Sequence, residues 1–279
     1  MMKGWSVAAL LVGFFGFLTL HASELPVGQV GVSPSIFEEV RLEGNELNKT
    51  MRFFNFKDKP VSVRVTVHNW TTDHNNRIEL LSPDPQSLDQ WIVVNPLRFT
   101  VPARKSHVVR FSIRPREEPS SGEHRAIIYF TEEPSEPDSL AKETLQNRFR
   151  IGTGIYATSG DVKKQALLHS VRVSDNRIDA DIENTGTVHT RFRGKYIIWE
   201  ADAYPGMDDF DRYYYGKPED AAVQGLVGKG VLNRFPVLPG TRRTISSSLP
   251  VTNKKGALLI AVKDTLAGVA RVHTFRIEK

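Results

Sequence analysis

Hydrophobic and polar residues alternate along much of this chain, and a period of two is the pattern of half-buried β-strands. The clearest case is the segment 61–68, in which four valines alternate with Ser62, Arg64, Thr66 and His68. The segment Ala126–Phe130 is instead continuously apolar and bounded by turn residues, which is typical of a strand buried on both faces. No long segment shows a sustained period of 3.6 residues with helix caps. The pattern therefore predicts an all-β fold.

One arrangement of turn and strand occurs twice, once in each half of the chain. Asn55 opens a turn that leads into a strand ending at Trp70, and Asn184 opens a turn that leads into a strand ending at Trp199. Further on, each half repeats a segment with Phe-x-Val and proline, followed by a second alternating strand: 98–102 in the first half and 234–240 in the second. A repeat this long indicates two related domains. Short strands separated by Gly, Pro and Asn turns predict two immunoglobulin-like antiparallel sandwiches.

The predicted domains are residues 23–158 and 162–279, with the hinge at Ser159–Asp161. Within the second domain, Ala201–Gly230 is predicted to be an irregular insertion with a short helical turn at Pro218–Val223. The core of the first domain is predicted to be built largely from Val63, Val65, Trp91, Phe99, Val109, Phe111, Ile128 and Phe130.

Residues 1–22 have the pattern of a cleaved secretory signal. Lys3 supplies the charge, Val7–Leu20 is almost wholly apolar, and a small residue follows at Ala22. The apolar run of about 14 residues is shorter than the ~20 that a membrane span needs. The mature chain is therefore predicted to lie beyond the inner membrane or outside the cell, without a membrane span. It contains no cysteine, and its basic and acidic residues are interspersed, which argues against nucleic acid as a partner.

Catalytic and metal-binding patterns are not found in the sequence. The histidines are scattered, and there is no nucleophile elbow, phosphate loop or dinucleotide fingerprint. An acidic and aromatic cluster contains Asp202, Asp208, Asp209, Asp211 and Tyr213–Tyr215, but it lacks the spacing of a calcium loop. We expect a protein that is not an enzyme and has no cofactor or bound metal.

Several motifs of the first domain resemble those of one known family. They are Val94-Asn-Pro96, Val101-Pro102, His107-Val-Val-Arg110 and the segment from Gly122-Glu-His-Arg125 to Phe130. Over roughly residues 31–160 the chain resembles PapD-like periplasmic pilus-assembly chaperones, most of all their archaic branch. The resemblance implies an L-shaped pair of immunoglobulin-like domains. It also implies that the protein donates a strand to an incomplete pilin-like subunit and passes that subunit to an outer-membrane usher.

The family's donor strand corresponds to Leu145–Tyr156 in this chain. Its alternation places Leu145, Phe149, Ile151 and Ile155 on one face, where the resemblance implies contact with a subunit. Arg148 and Arg150 lie on the other face, and Asn147 interrupts the apolar stripe. An equally acceptable interpretation is that this is the last strand of the sandwich, with its apolar face in its own core.

The chain departs from the family at the basic pair that binds the subunit's terminal carboxylate. The first-strand position falls within Ser35–Glu39, which has no arginine, and the second falls on Thr153 or Thr158. Arg148 or Arg150 would have to supply the carboxylate anchor from a neighbouring position.

Two functions of different class follow. The first is a periplasmic chaperone that caps pilin-like subunits by strand donation. The second is a structural or adhesive module of a cell-surface assembly, in which the sandwiches act as spacers or binding domains. An exposed, unpaired strand at Leu145–Ile155 favours the first, and its burial favours the second.

Overall fold

The computed structural model describes residues 29–43, 47–134, 148–174, 176–216, 223–251 and 256–278. Its secondary structure is dominated by strands, which confirms the all-β prediction. The predicted signal, residues 1–22, lies outside the described residues. No helix among the residues that are described is long and apolar enough to cross a membrane.

The first half of the chain forms two packed sheets. Its strands are β1 (Val30–Ser33), β2 (Ile36–Arg41), β3 (Leu47–Asn55), β4 (Val61–Thr72), β5 (Ile78–Leu81), β6 (Ile92–Asn95), β7 (Arg98–Val101), β8 (Ser106–Ile113), β9 (Gly122–Glu132) and β10 (Arg150–Ser159). One sheet has the order β1-β3-β8-β6 and the other β2-β10-β9-β4-β5, with β7 also pairing β4. The sheets form an immunoglobulin-like sandwich.

The two strands that precede β3 belong to different sheets. The first strand, β1, pairs antiparallel with β3. After the segment 33–35 the chain crosses to the opposite sheet, where β2 pairs in parallel with β10. A proline at position 34 suits this crossing because it cannot donate to a ladder.

The predicted core of the first sandwich is confirmed. Seven of its eight residues are buried, and Phe99 is half-buried with its ring 5.9 Å from that of Phe53. The prediction that Ala126–Phe130 is buried on both faces also holds at its centre. Ile128 belongs to the main core, whereas Ile127 points to the opposite face. There it packs with Trp70 and Tyr156 of the same half and with Leu238 of the second half.

The second half forms another sandwich. Its strands are β11 (Ala166–Ser174), β12 (Arg177–Asn184), β13 (Thr190–Arg191), β14 (Arg193–Glu200), β15 (Leu226–Val231), β16 (Pro236–Val237), β17 (Arg242–Ser248), β18 (Leu258–Leu266) and β19 (Val269–Ile277). The sheets have the orders β11-β12-β17 and β15-β14-β18-β19, and β13 pairs β16. Since β10 ends at Ser159 and β11 begins at Ala166, we propose a domain boundary between these residues.

The prediction of an irregular insertion at Ala201–Gly230 was wrong in part. It contains a helix, α1 (Phe210–Tyr215), and most of β15, which pairs with β14. The glycines of β15 interrupt the alternation that would mark a strand in the sequence. Gly230 is needed for packing, because a Cβ there would lie 2.5 Å from the hydroxyl of Tyr196. Most of the predicted turn at Pro218–Val223 lies outside the described residues.

The repeated asparagines occupy equivalent buried positions, each at the last residue of its strand. The Nδ2 group of Asn55 donates to the carbonyl oxygens of Val101 (3.1 Å) and Pro102 (3.0 Å). That of Asn184 donates to the carbonyl oxygens of Val188 (2.9 Å) and Val237 (2.8 Å). Both side chains therefore join the turn that follows their own strand to the Phe-x-Val segment, which explains why the sequence repeats these features together.

Replacing Ile128 by alanine is expected to lower the free energy of unfolding by about 2–5 kcal/mol, because a fully buried side chain is lost from a packed core. Ile78→Ala is the control, since Ile78 is 46% exposed, and it should change stability by less than about 0.5 kcal/mol. Chemical denaturation measures both. Equal effects would contradict the assigned core.

Asn184→Ala should cost at least about 2 kcal/mol, because it removes the partner of two buried carbonyl groups and of the Gly186 amide. The exposed Asn75→Ala variant provides the comparison in the same denaturation experiment. A loss no larger than that of Asn75→Ala would show that the Asn184 hydrogen bonds do not hold the turn.

Candidate functional site

The two edges of β10 differ in their hydrogen bonding. Glu132 donates its amide to the carbonyl oxygen of Phe149 at 3.1 Å, and the antiparallel register with β9 continues to Ser159. Backbone groups alternate in direction along such a ladder. Odd-numbered residues of β10 therefore face β9, and even-numbered residues face the opposite edge.

The opposite edge of β10 is covered along only part of its length. Pairing with β2 begins at Gly154, whose amide donates to the carbonyl oxygen of Ser35 at 3.3 Å. No strand among the described residues pairs with this edge at Arg150 and Gly152. These two residues direct an amide and a carbonyl group each toward an open edge, which is a template for another strand.

Two apolar side chains lie beside this open edge. Phe149 and Ile151 are half-buried and pack against the core of the first sandwich. The Phe149 ring lies 5.7 Å from that of Phe53 and 5.2 Å from the Nζ atom of Lys57. Val30 and Val32 of β1 are also half-buried. Because β1 belongs to the other sheet, these four side chains line a seam between the two sheets.

The predicted donor residues differ in how accessible their side chains are. Ile155 faces the same way as Phe149 and Ile151, as the alternation predicted, but it is fully buried in the core of its own domain. Thr153, between them, is equally buried. Leu145 lies outside the described residues. The accessible part of the predicted stripe is therefore Phe149 and Ile151.

Arg148 and Arg150 are exposed, and the Arg150 guanidinium lies over the ring of Tyr129 at 3.9 Å. Arg150 precedes Tyr156 by six residues of strand, or about 20 Å. Neither arginine lines the cleft between the two domains described next.

This cleft has a volume of about 680 Å³ and is bordered by strands of both sandwiches. Glu38 of β2 lies 2.6 Å from the Nε atom of Arg191, and Glu123 of β9 lies 2.5 Å from the Nδ1 atom of His189. Lys164 pairs with Glu39 at 2.9 Å. The cleft is thus crossed by ion pairs whose acids come from the first domain and whose bases come from the second.

Burial and neighbouring charges have opposite effects on the pKa values of the carboxyl groups in this cleft. Burial raises the pKa of Glu123, but the hydrogen bonds and charge of His189 outweigh it, so the pKa is lowered from its ordinary value of 4.5. Burial likewise opposes the effect of Arg191 on Glu38, whose pKa is also lowered. Burial raises the pKa of Tyr156 to about 12. The two carboxyl groups are therefore held in their charged form.

Nothing in the sequence marks Arg191 or His189 as a member of a site. Both belong to the second domain, and their carboxylate partners are far away in the chain. No local motif marks such a pairing, because it arises only when the two sandwiches pack together.

The acidic and aromatic cluster of the second domain contains ion pairs and packing contacts. Asp211 lies 2.9 Å from the Nζ atom of Lys263, and Tyr213 packs edge-on against Trp199. Among the described residues, no three potential metal ligands come together.

No model of a known protein family matches the chain, and no curated protein matches it. Among solved structures it is similar to the YadV chaperone, at 11% identity over 89% of this chain and 100% of that one, with a TM-score of 0.44. The complex of Salmonella enterica SafA pilin with the SafB chaperone matches at 15% identity over 92% of this chain and 99% of that one, with a TM-score of 0.44.

A third similar structure is the CsuC–CsuE complex of a chaperone and a tip subunit from the archaic chaperone-usher Csu pili of Acinetobacter baumannii. It matches at 13% identity over 90% of this chain and 98% of that one, with a TM-score of 0.43. Likeness at such identities concerns the fold alone.

Glu123→Gln should make stability less sensitive to acid. A lowered carboxyl pKa contributes stability that is present above the ordinary value of 4.5 and is lost as the pH falls below it. The free energy of unfolding of the variant should therefore fall less steeply between pH 4.5 and acid conditions. Glu79→Gln, at an exposed position of β5, is the control and should leave the slope almost unchanged. Equal slopes for native protein and Glu123→Gln would refute the role of this pair.

Proposed function

We propose that the protein is a periplasmic chaperone that caps pilin-like subunits by adding β10 to their open edge. One site combines the backbone groups of Arg150 and Gly152, which no strand of the described residues pairs, with the half-buried side chains of Phe149 and Ile151. This combination is the observation that carries the proposal. The sequence resemblance of residues 31–160 to PapD-like chaperones supports the same function.

The physical basis is strand addition. A sandwich that lacks one strand exposes a hydrophobic groove and two unpaired edges, and such surfaces aggregate. An added strand supplies main-chain hydrogen bonds, and its alternate side chains fill the groove. Here Arg150 and Gly152 would supply the hydrogen bonds, and Phe149 and Ile151 the apolar side chains. Because these two side chains already pack against the core at the seam, the core of the subunit would continue the core of the chaperone.

The proposal has fewer residues in contact with the subunit than the family resemblance implied. Ile155 has no exposed surface, so it supports the strand from its own core and does not touch the subunit. Leu145 remains in the proposal as a residue that precedes β10.

A carboxylate anchor in the cleft between the domains is not part of the proposal. Lys164, His189 and Arg191 each already have a carboxylate partner within 2.9 Å. A subunit carboxylate would have to displace an internal one, at the cost of leaving a partly buried acid unpaired. We therefore propose capture through β10 alone, followed by delivery of the subunit for outer-membrane assembly by an usher, without enzymatic activity.

A structural or adhesive module is the second candidate. The burial of Ile155 and the contact of Phe149 with Phe53 favour it, because both are what the closing strand of an ordinary sandwich would show. In that case β10 has no client and its open edge has no binding role.

The double variant Phe149→Asp, Ile151→Asp should abolish co-purification with a co-expressed pilin-like subunit. Two carboxylates would have to enter an apolar groove, which costs several kcal/mol. Arg148→Asp is the control and should retain binding, because Arg148 points away from the seam. Circular dichroism and thermal unfolding check that each variant is folded.

Arg150→Pro tests strand addition separately from side-chain packing. Proline at an edge position whose amide faces outward removes one donor and leaves the ladder to β9 intact. Subunit binding should fall at least about tenfold relative to Arg150→Ala, which keeps the amide. Equal binding by these two variants, with both folded, would exclude strand addition at this edge and favour the second candidate.

A further inference from the structure

The last strand of the second domain also has an open edge. β19 is the terminal strand of its sheet and pairs only with β18 among the described residues. Two apolar residues on it are well exposed, Val269 (54%) and Val272 (58%). A long edge strand with exposed valines is an aggregation hazard unless something covers it.

The hairpin register shows which backbone groups are free. β18 and β19 are joined by Ala267 and Gly268, which both have positive φ, 48° and 84°, as a two-residue hairpin turn of type I′ requires. In such a hairpin the flanking residues, Leu266 and Val269, form a hydrogen-bonded pair. Backbone direction alternates from Val269 onward, so every second residue directs its amide and carbonyl groups away from β18. These residues are Ala270, Val272, Thr274 and Arg276.

A basic groove of about 570 Å³ adjoins this edge, with α1 on one side and β19 on the other. Five basic side chains line it against two acidic ones, Asp211 and Asp264; the basic residues are Arg193, Lys195, Arg234, Lys263 and Arg271.

Lys263, Arg193 and Arg271 pair with Asp211, Glu38 and Asp264, whereas the other two basic side chains have no carboxylate partner among the described residues. The Lys195 ammonium group lies over the rings of Tyr214 and Tyr215 at 5.0 and 4.2 Å and has no carboxylate partner among the described residues. Arg234 pairs with no carboxylate of the described part of the chain and is exposed. The groove therefore combines a positive surface with the apolar side chains of Phe210, Ala270 and Val272.

We propose that β19 and this groove bind an extended acidic segment of a partner protein, which pairs with the outward-facing backbone of Ala270, Val272 and Thr274. The register of the sheet places Val272, Lys263 and Lys195 on one face. Acidic side chains of the segment would lie on that face, beside the groove, and the apolar side chains that alternate with them would lie on the opposite face. An extended polypeptide is favoured over a headgroup or a free anion because the outward-facing backbone groups form a regular row along the strand, and another strand can pair with the whole row.

This inference does not depend on strand donation by β10. The site is in the other domain, and its residues take no part in the seam at Phe149. The second domain would thereby bind an acidic partner independently of any subunit held by the first.

The test uses the full mature chain and a fluorescein-labelled peptide of about ten residues in which glutamate and valine alternate, long enough to follow one strand. Fluorescence anisotropy should show saturable binding that weakens as salt is raised, because screening reduces the charge contribution. The same peptide with lysine in place of glutamate should not bind. Arg234→Gln should weaken binding about two- to fivefold, whereas Arg77→Gln, an exposed arginine of the first domain, should have no effect.

The deciding comparison is Val272→Pro with Val272→Ala. The Val272 amide is not used by the ladder to β18, so proline should leave the domain folded but remove a donor from the open edge. Binding of the acidic peptide should fall at least about tenfold in Val272→Pro relative to Val272→Ala. Equal binding by the two folded variants would overturn the proposal, as would equal binding of the acidic and basic peptides. So would binding of the chain to vesicles with anionic phospholipid when neither peptide binds.

Discussion

The feature on which the proposed site depends is the division of the first strand between the two sheets. β1 pairs with β3, and β2 pairs with β10 only from Gly154 onward. On the side away from β9, the start of β10 at Arg150 and Gly152 therefore has no partner strand among the described residues. The same crossing leaves β1 and the start of β10 on opposite sides of a seam, with Phe149 and Ile151 at its border. If the first strand ran along β10 for its whole length, the sandwich would be closed and no strand could be added there.

The two domains repeat the same arrangement of turn and strand, but different elements cover the tryptophan on the outer face of each. In both, a buried asparagine joins a turn to the Phe-x-Val segment, and a tryptophan lies near the end of the following strand. Trp70 is covered by Tyr156 and by Leu238 of the second domain, whereas Trp199 is covered by α1. The first domain thus uses its outer face to contact the second, and the insertion that contains α1 shields the equivalent face of the second domain.

Much of the fold could be predicted from the sequence because its signals are local. The alternation of Val61–Val67 and the apolar run at Ala126–Phe130 marked strands that the structure contains, and the repeated asparagines marked equivalent turns. Strand β15 was missed because its glycines remove the alternation; one of them, Gly230, is required by the bulk of Tyr196. The burial of Ile155 and the pairing of Glu123 with His189 could not be predicted, since they depend on how distant strands and the two domains pack.

Hydrogen–deuterium exchange along β10 tests the central claim most directly, because it compares neighbouring amides of one strand. The amides of Ile151 and Thr153 face β9, whereas those of Arg150 and Gly152 face the open edge. In the free protein, Arg150 and Gly152 should exchange rapidly while Ile151 and Thr153 are protected, and addition of a pilin-like subunit should protect all four. Equal protection of all four amides in the free protein would show that the edge is already covered, and would contradict the account.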